Sequence, residues 1–165
     1  MATCISHSPA ETAALGETWG REAERGLVIG LCGELGAGKT QLVKGLACGL
    51  GVAERVRSPT FALVSIYEGG RLPLFHLDLY RLETREQIVA AGLDEYLSPA
   101  GVSVIEWAER WFDAGSARST VHGPRSAVNG PQSTPHGPVP GRLRLVRFDV
   151  LSESERRISY EDTGP

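Results

Sequence analysis

Eight consecutive residues constrain this chain more than any others: Gly33-Glu34-Leu35-Gly36-Ala37-Gly38-Lys39-Thr40. A glycine, four residues, then Gly-Lys-Thr is the pattern of a loop that wraps its backbone around a phosphate and turns N–H groups inward. Leu27-Val28-Ile29-Gly30-Leu31-Cys32 precedes it. That unbroken apolar run is the pattern of a strand buried on both faces. After the loop, Leu42, Val43, Leu46 and Leu50 recur at helical spacing, and Gly51 supplies a stop. A strand, a glycine loop and a helix in this order aim the helix N-terminus and its dipole at the same anion. Lys39 then supplies a mobile charge for β- and γ-phosphates, and the Thr40 hydroxyl supplies a magnesium ligand. Lys39 and Lys44 are the only lysines against fifteen arginines, which makes the placement of Lys39 conspicuous.

Magnesium at such a loop calls for a carboxylate at the end of a neighbouring strand. Two acids qualify. Asp78 lies in Leu74-Phe75-His76-Leu77-Asp78-Leu79-Tyr80-Arg81, where alternation puts His76, Asp78 and Tyr80 on one face. Glu106 ends the apolar run Val102-Ser103-Val104-Ile105, as a central strand would deliver an acid to the phosphate end of a sheet. Pairing with Arg81 or Arg110 at the surface is the alternative for each. Ser58-Pro59-Thr60 falls where phosphate-loop proteins often sense the γ-phosphate, and a Ser-Pro-Thr turn is equally a plain loop. Trp107, Cys32 and Cys48 read as core residues.

The remaining elements complete an α/β pattern. Ser8-Pro9-Ala10-Glu11 opens a helix as a capping box, with Leu15, Trp19 and Ala23 on one face. Gly16 and Gly20 weaken that helix, so packing must support it. Phe61 to Tyr67 and Leu72 to Leu79 read as a hairpin around Glu68-Gly69-Gly70-Arg71. Thr84-Arg85-Glu86-Gln87 is a second capping box. Gly101 to Glu106, Leu143 to Val150 and Arg157 to Tyr160 read as strands, with Arg142, Arg144 and Arg147 at exposed positions. The whole predicts a single α/β domain over 1–165, a P-loop NTPase-like fold with a mixed, mainly parallel sheet flanked by helices. One stretch stands apart: three seven-residue units over 119–139, each ending in Gly-Pro-X, forbid a helix and carry no large apolar residue but valine. They predict a flexible Gly/Pro/Ser insertion in a surface loop at about 113–140.

Composition narrows the function classes. A net charge of -3 gives no general field for nucleic acid. Three cysteines without a CxxC pair favour a reducing compartment over a disulfide framework. The apolar runs are far too short for a membrane span, so a cytoplasmic protein with no membrane contact is expected. Asn129 is the sole asparagine, so the N-K-x-D motif of guanine-specific GTPases cannot occur. No arginine-rich helical stretch follows Glu106 to form the lid of a small-molecule kinase.

Four motifs in order carry a specific resemblance: Gly33 to Thr40, Ser58-Pro59-Thr60-Phe61, His76-Leu77-Asp78-Leu79-Tyr80-Arg81-Leu82 and Ile105-Glu106-Trp107. Together they resemble the bacterial tRNA threonylcarbamoyladenosine biosynthesis ATPases, the TsaE family. The likeness runs from about Ser8 to Trp111 and resumes near Arg142; the repeat insertion departs from the family. The resemblance implies a protein that binds ATP and magnesium and hydrolyses ATP weakly alone. It implies association with two partner proteins, TsaD and TsaB, and contact with tRNA only through that assembly, which hydrolysis resets between turnovers. Carried over by motif, the nucleotide phosphates meet Leu35, Gly36, Ala37, Gly38, Lys39 and Thr40, and magnesium meets Thr40 and Glu106. Asp78 matches an acid needed for activity, Thr60 a switch residue, and Pro9 the stretch near adenine. A stand-alone P-loop small-molecule kinase and a nucleotide-gated binding module without meaningful hydrolysis are the rival readings.

Overall fold

The structure, a computed structural model, describes residues 1–112 and 140–164. The repeat of 119–139 lies outside them. Strands β1 (Ala2–Ser6), β2 (Leu27–Cys32), β3 (Val64–Tyr67), β4 (Leu74–Asp78), β5 (Val102–Glu106), β6 (Arg142–Val150) and β7 (Arg156–Thr163) form one sheet in the order β1-β7-β6-β2-β5-β4-β3. The inner strands β6, β2, β5 and β4 run parallel, and the outer pairings are antiparallel. This is the mixed α/β sheet that the sequence predicts. Helices α1 (Pro9–Glu22) and α2 (Lys39–Gly49) cover one face; α3 (Arg85–Ala90), a 3₁₀ turn over Leu93–Leu97 and α4 (Glu109–Phe112) cover the other. Strand alternation divides the core accordingly. Ile29, Leu31, Val102, Val104 and Leu74 pack under α1 and α2, while Val28, Ile105, Leu77 and Leu143 pack toward α3 and α4. No helix among the described residues is long and apolar enough to cross a membrane.

The glycines that weaken α1 in isolation seat it on α2. A Cβ on Gly16 would stand 2.2 Å from the Leu42 carbonyl oxygen, and one on Gly20 would stand 2.3 Å from that of Leu46. The contact is reciprocal: a Cβ on Gly45 would lie 1.8 Å from the Ala13 carbonyl oxygen, and one on Gly49 would lie 2.1 Å from that of Glu17. Backbone therefore meets backbone across the pair. Trp19, Leu42, Leu46 and Leu50 fill the space between the helices and the sheet.

Several local readings change. The expected strand over Phe61–Tyr67 begins only at Val64, because the Leu63 N–H bonds the Pro59 carbonyl at 2.7 Å and Leu63 takes φ 68°. In both capping boxes the cap accepts as expected, Ser8 Oγ from the Glu11 N–H and Thr84 Oγ1 from the Gln87 N–H. The return bond, however, goes one residue further back, to the His7 N–H in one and the Glu83 N–H in the other, at 2.7 Å each. Arg144 is not on an exposed face: it pairs through two hydrogen bonds with Asp162 and lies over the Trp19 and Tyr160 rings. That guanidinium holds the Asp162 carboxyl below its usual range. Cys48 is exposed, whereas Cys32 is buried as expected.

The helix pair gives the first prediction. Gly45→Ala forces a methyl into backbone and should cost about 2–3 kcal/mol, read as a clear fall in thermal midpoint. Gly69→Ala, where nothing lies within 4 Å of the added carbon, should melt like the parent.

Candidate active site at the carboxyl ends of the parallel strands

Register brings the predicted acids together. In the parallel pairing of β4 with β5, Asp78 stands opposite Glu106; in that of β2 with β5, Leu31 stands opposite Glu106. The phosphate-loop motif leaves the end of β2, so all three elements open at the same edge, where open α/β sheets take their ligands. A cavity of about 510 Å³ lies there. It is lined by the loop from Leu35 to Thr40 and by Ser58, Thr60, Asp78 and Glu106, joined by Gln41, Lys44, Tyr80 and Trp107.

The loop itself is built for an anion. Gly38 holds φ 104°, a left-handed conformation that side chains avoid, and it caps α2 without any side-chain hydrogen bond. The first N–H groups of α2 are thus left to a ligand rather than to a cap. Lys39 is 4% exposed. Its ammonium donates to the Gly33 carbonyl at 2.6 Å and the Glu34 carbonyl at 2.8 Å, and lies 4.0 Å from the centre of the Trp107 ring. Burial pushes this ammonium below the ordinary lysine range, opposed chiefly by the negative charge of Glu106, then of Glu109 and Asp78.

Both acids are buried, and neither takes the surface arginine pairing that stood as its alternative. Glu106 Oε1 accepts from the Thr40 hydroxyl at 2.9 Å and lies 2.8 Å from His76 Nε2. Asp78 Oδ2 accepts from the hydroxyls of Ser58 at 2.8 Å and Thr60 at 2.9 Å, while Oδ1 accepts from the Tyr80 N–H at 2.9 Å. Ser58-Pro59-Thr60 is therefore tied to Asp78 by its side chains. Glu106 with Thr40 is a hard oxygen pair of the kind that holds magnesium beside phosphate oxygens, and the lysine, helix terminus and glycine loop fit the phosphates themselves. Pro9 is not brought to the cavity wall; it opens α1, whose Thr12 methyl comes within 4.0 Å of the position of a Cβ on Gly38.

Two residues at the site escape sequence reasoning. Trp107 is more than a core residue: partly buried against the second apolar cluster, it takes φ 60° and lays its ring over Lys39 and against Tyr80, 5.0 Å between ring centres. A bulky residue in that region carries strain of about 1–3 kcal/mol, as functional positions often do. Arg156 of β7 donates from behind the loop, through Nε to the Ala37 carbonyl at 3.1 Å and through an Nη to the Gly36 carbonyl at 3.4 Å. Because N–H and C=O point oppositely in a trans peptide, holding the Ala37 carbonyl outward turns the Gly38 N–H away from Arg156. No sequence spacing links positions 37 and 156.

This sheet, with a glycine loop between a central strand and a helix, defines a P-loop NTPase-like protein. The chain belongs to the TsaE family: the model described as threonylcarbamoyl adenosine biosynthesis protein TsaE matches residues 6–126. A tRNA threonylcarbamoyladenosine biosynthesis protein TsaE of Treponema pallidum is 50% identical over 107 residues, which cover 65% of this chain and 78% of that protein. Its namesake in Bacillus subtilis is 46% identical over 101 residues, 61% of this chain and 63% of that protein. The crystal structure of Bacillus subtilis YdiB superposes over 99% of this chain and 86% of its own, with a TM-score of 0.70 and 28% identity.

Arg156 lies beyond the family match, and its role is open to a direct measurement. Were ATP the ligand of this loop, Arg156→Ala would weaken its binding by roughly five- to tenfold, the worth of about 1–1.4 kcal/mol, in isothermal titration. Arg156→Lys should recover part of the loss.

Proposed function

We propose that this protein binds ATP with magnesium, hydrolyses it slowly alone, and acts in tRNA threonylcarbamoyladenosine biosynthesis by resetting the modifying assembly between turnovers. The observation that carries the reading is the pair of separate acid clusters around one buried lysine: Thr40 with Glu106, and Thr60 with Asp78. Family membership supports the biological setting. The partners of the assembly are TsaD and TsaB, tRNA is met only through them, and the setting is the cytoplasm.

In this reading the loop from Leu35 to Thr40 cradles the phosphates, and Lys39 neutralises the β- and γ-oxygens. Thr40 and Glu106 would hold magnesium, which would supply further charge neutralisation. Asp78 has another task. As a buried acceptor it fixes the hydroxyls of Ser58 and Thr60 at the γ-phosphate end and orders the attacking water. The segment from Ser58 to Thr60 is then a switch whose position depends on Asp78. Pro9, in the first turn of α1, belongs to the stretch that meets adenine.

Asp78→Asn tests this division of labour. The amide accepts on one side only, so with its oxygen kept on the Tyr80 N–H its NH2 faces the Ser58 and Thr60 hydroxyls, which must turn from donating to accepting. The variant should bind ATP and join TsaD and TsaB, yet tRNA modification should stop after a single round per assembly. Full multiple-turnover modification by that variant would remove Asp78 and hydrolysis from the account. A phosphorylated small acceptor formed without partners would favour a kinase instead, and unchanged cycling without any ATP turnover would favour a nucleotide-gated module.

A further inference from the structure

His76 is fully buried on β4, on the same face as Asp78, and no residue role assigned above uses it. Its Nε2 lies 2.8 Å from Glu106 Oε1, the oxygen that already accepts the Thr40 hydroxyl at 2.9 Å. An oxygen that accepts in this way must be met by a donor, so Nε2 carries the hydrogen. On the other side of the ring, Nδ1 has no hydrogen-bond partner among the described residues. A hydrogen there would be a buried donor left unpaired, which costs more than a bare lone pair in the same place. The network therefore directs an Nε2 hydrogen at the carboxylate.

We infer that His76 is a positioning residue for Glu106: its Nε2–H fixes the plane of the carboxylate and thereby sets how tightly magnesium is held. Two donors converge on one oxygen, Thr40 from the helix and His76 from the neighbouring strand. The carboxylate is thus pinned from both sides before any cation arrives. Without His76, Glu106 would keep only the Thr40 hydroxyl among these contacts, and that hydroxyl is itself called on by the cation. Partners of metal-binding side chains commonly contribute about 10–100-fold to metal affinity through such orientation. The inference rests on the reading of Glu106 and Thr40 as the magnesium pair.

Two substitutions separate orientation from core filling. His76→Gln can set an amide N–H near the place of Nε2; His76→Leu fills the space without a donor. Binding of a fluorescent ATP analogue would be titrated with magnesium, and repeated in chelator, with thermal melts beside it. The magnesium concentration for half effect should rise by about tenfold or more in His76→Leu, affinity in chelator should hold, and His76→Gln should recover most of the loss. A His76→Leu titration like the parent's overturns the inference, as does equal loss in both variants, the mark of a packing role. A parent with no magnesium dependence at all would bring down the Glu106–Thr40 reading and the inference with it, an outcome distinct from the other two. Should His76→Leu fail to fold, nitrogen NMR of the ring in the unsubstituted protein decides instead. Hydrogen on Nε2 supports the inference, and an Nε2 without hydrogen overturns it.

Discussion

One buried ammonium beside two buried carboxylates is the constraint around which the rest of the site is arranged. Lys39, Asp78 and Glu106 are each 4% exposed or less. Charges so placed are costly unless polar groups replace the water they lose. Among the described residues no ion pair joins Lys39 to either acid. Each charge is instead held by its own polar partners: backbone carbonyls and the Trp107 face for Lys39, hydroxyl and imidazole for Glu106, hydroxyls and a backbone N–H for Asp78. Held apart in this way, the charges are oriented in advance for a ligand carrying both anionic and cationic groups, which limits reorganisation on binding.

The scaffold explains how such charges can be kept in place. Adjacent parallel strands deliver the acids at equal height, and the end of β2 delivers the loop beside them. The second helix, which begins at Lys39, is clamped to the first by backbone contact at Gly16, Gly20, Gly45 and Gly49. Movement of α2 would shift Lys39 and Thr40 together, so the fit between two helices is also a fit between loop and acids. From the far end of the chain, Arg156 ties the loop's outer carbonyls to β7.

Much of this was legible in the sequence because its causes are local. The phosphate loop is a contiguous string; β2 is a contiguous apolar run; alternation alone puts His76 and Asp78 on one face. What escaped was set by distant partners. β1 pairs Ala2 with Tyr160, and five residues without a strong alternation give no sign of it. Gly16 and Gly20 read as weaknesses until the opposite helix is present, since only α2 makes a missing Cβ an advantage. Trp107 read as core because bulk and apolarity argue for burial, whereas its positive φ is a backbone property that composition does not carry. Arg144 read as a solvated charge because Asp162, Trp19 and Tyr160 come to it from other elements.

Lys39 is the group whose removal tests the phosphate site most sharply. Isothermal titration of ATP with magnesium into the parent protein and Lys39→Ala is the most direct measurement. Lys44, the other lysine at the cavity, lies on α2 outside the loop. Binding should fall by about a hundredfold or more, near 3 kcal/mol, while the thermal midpoint in the absence of nucleotide holds or rises because a desolvated charge has been removed. An unchanged affinity in the alanine variant would contradict the assignment of this loop as a phosphate site.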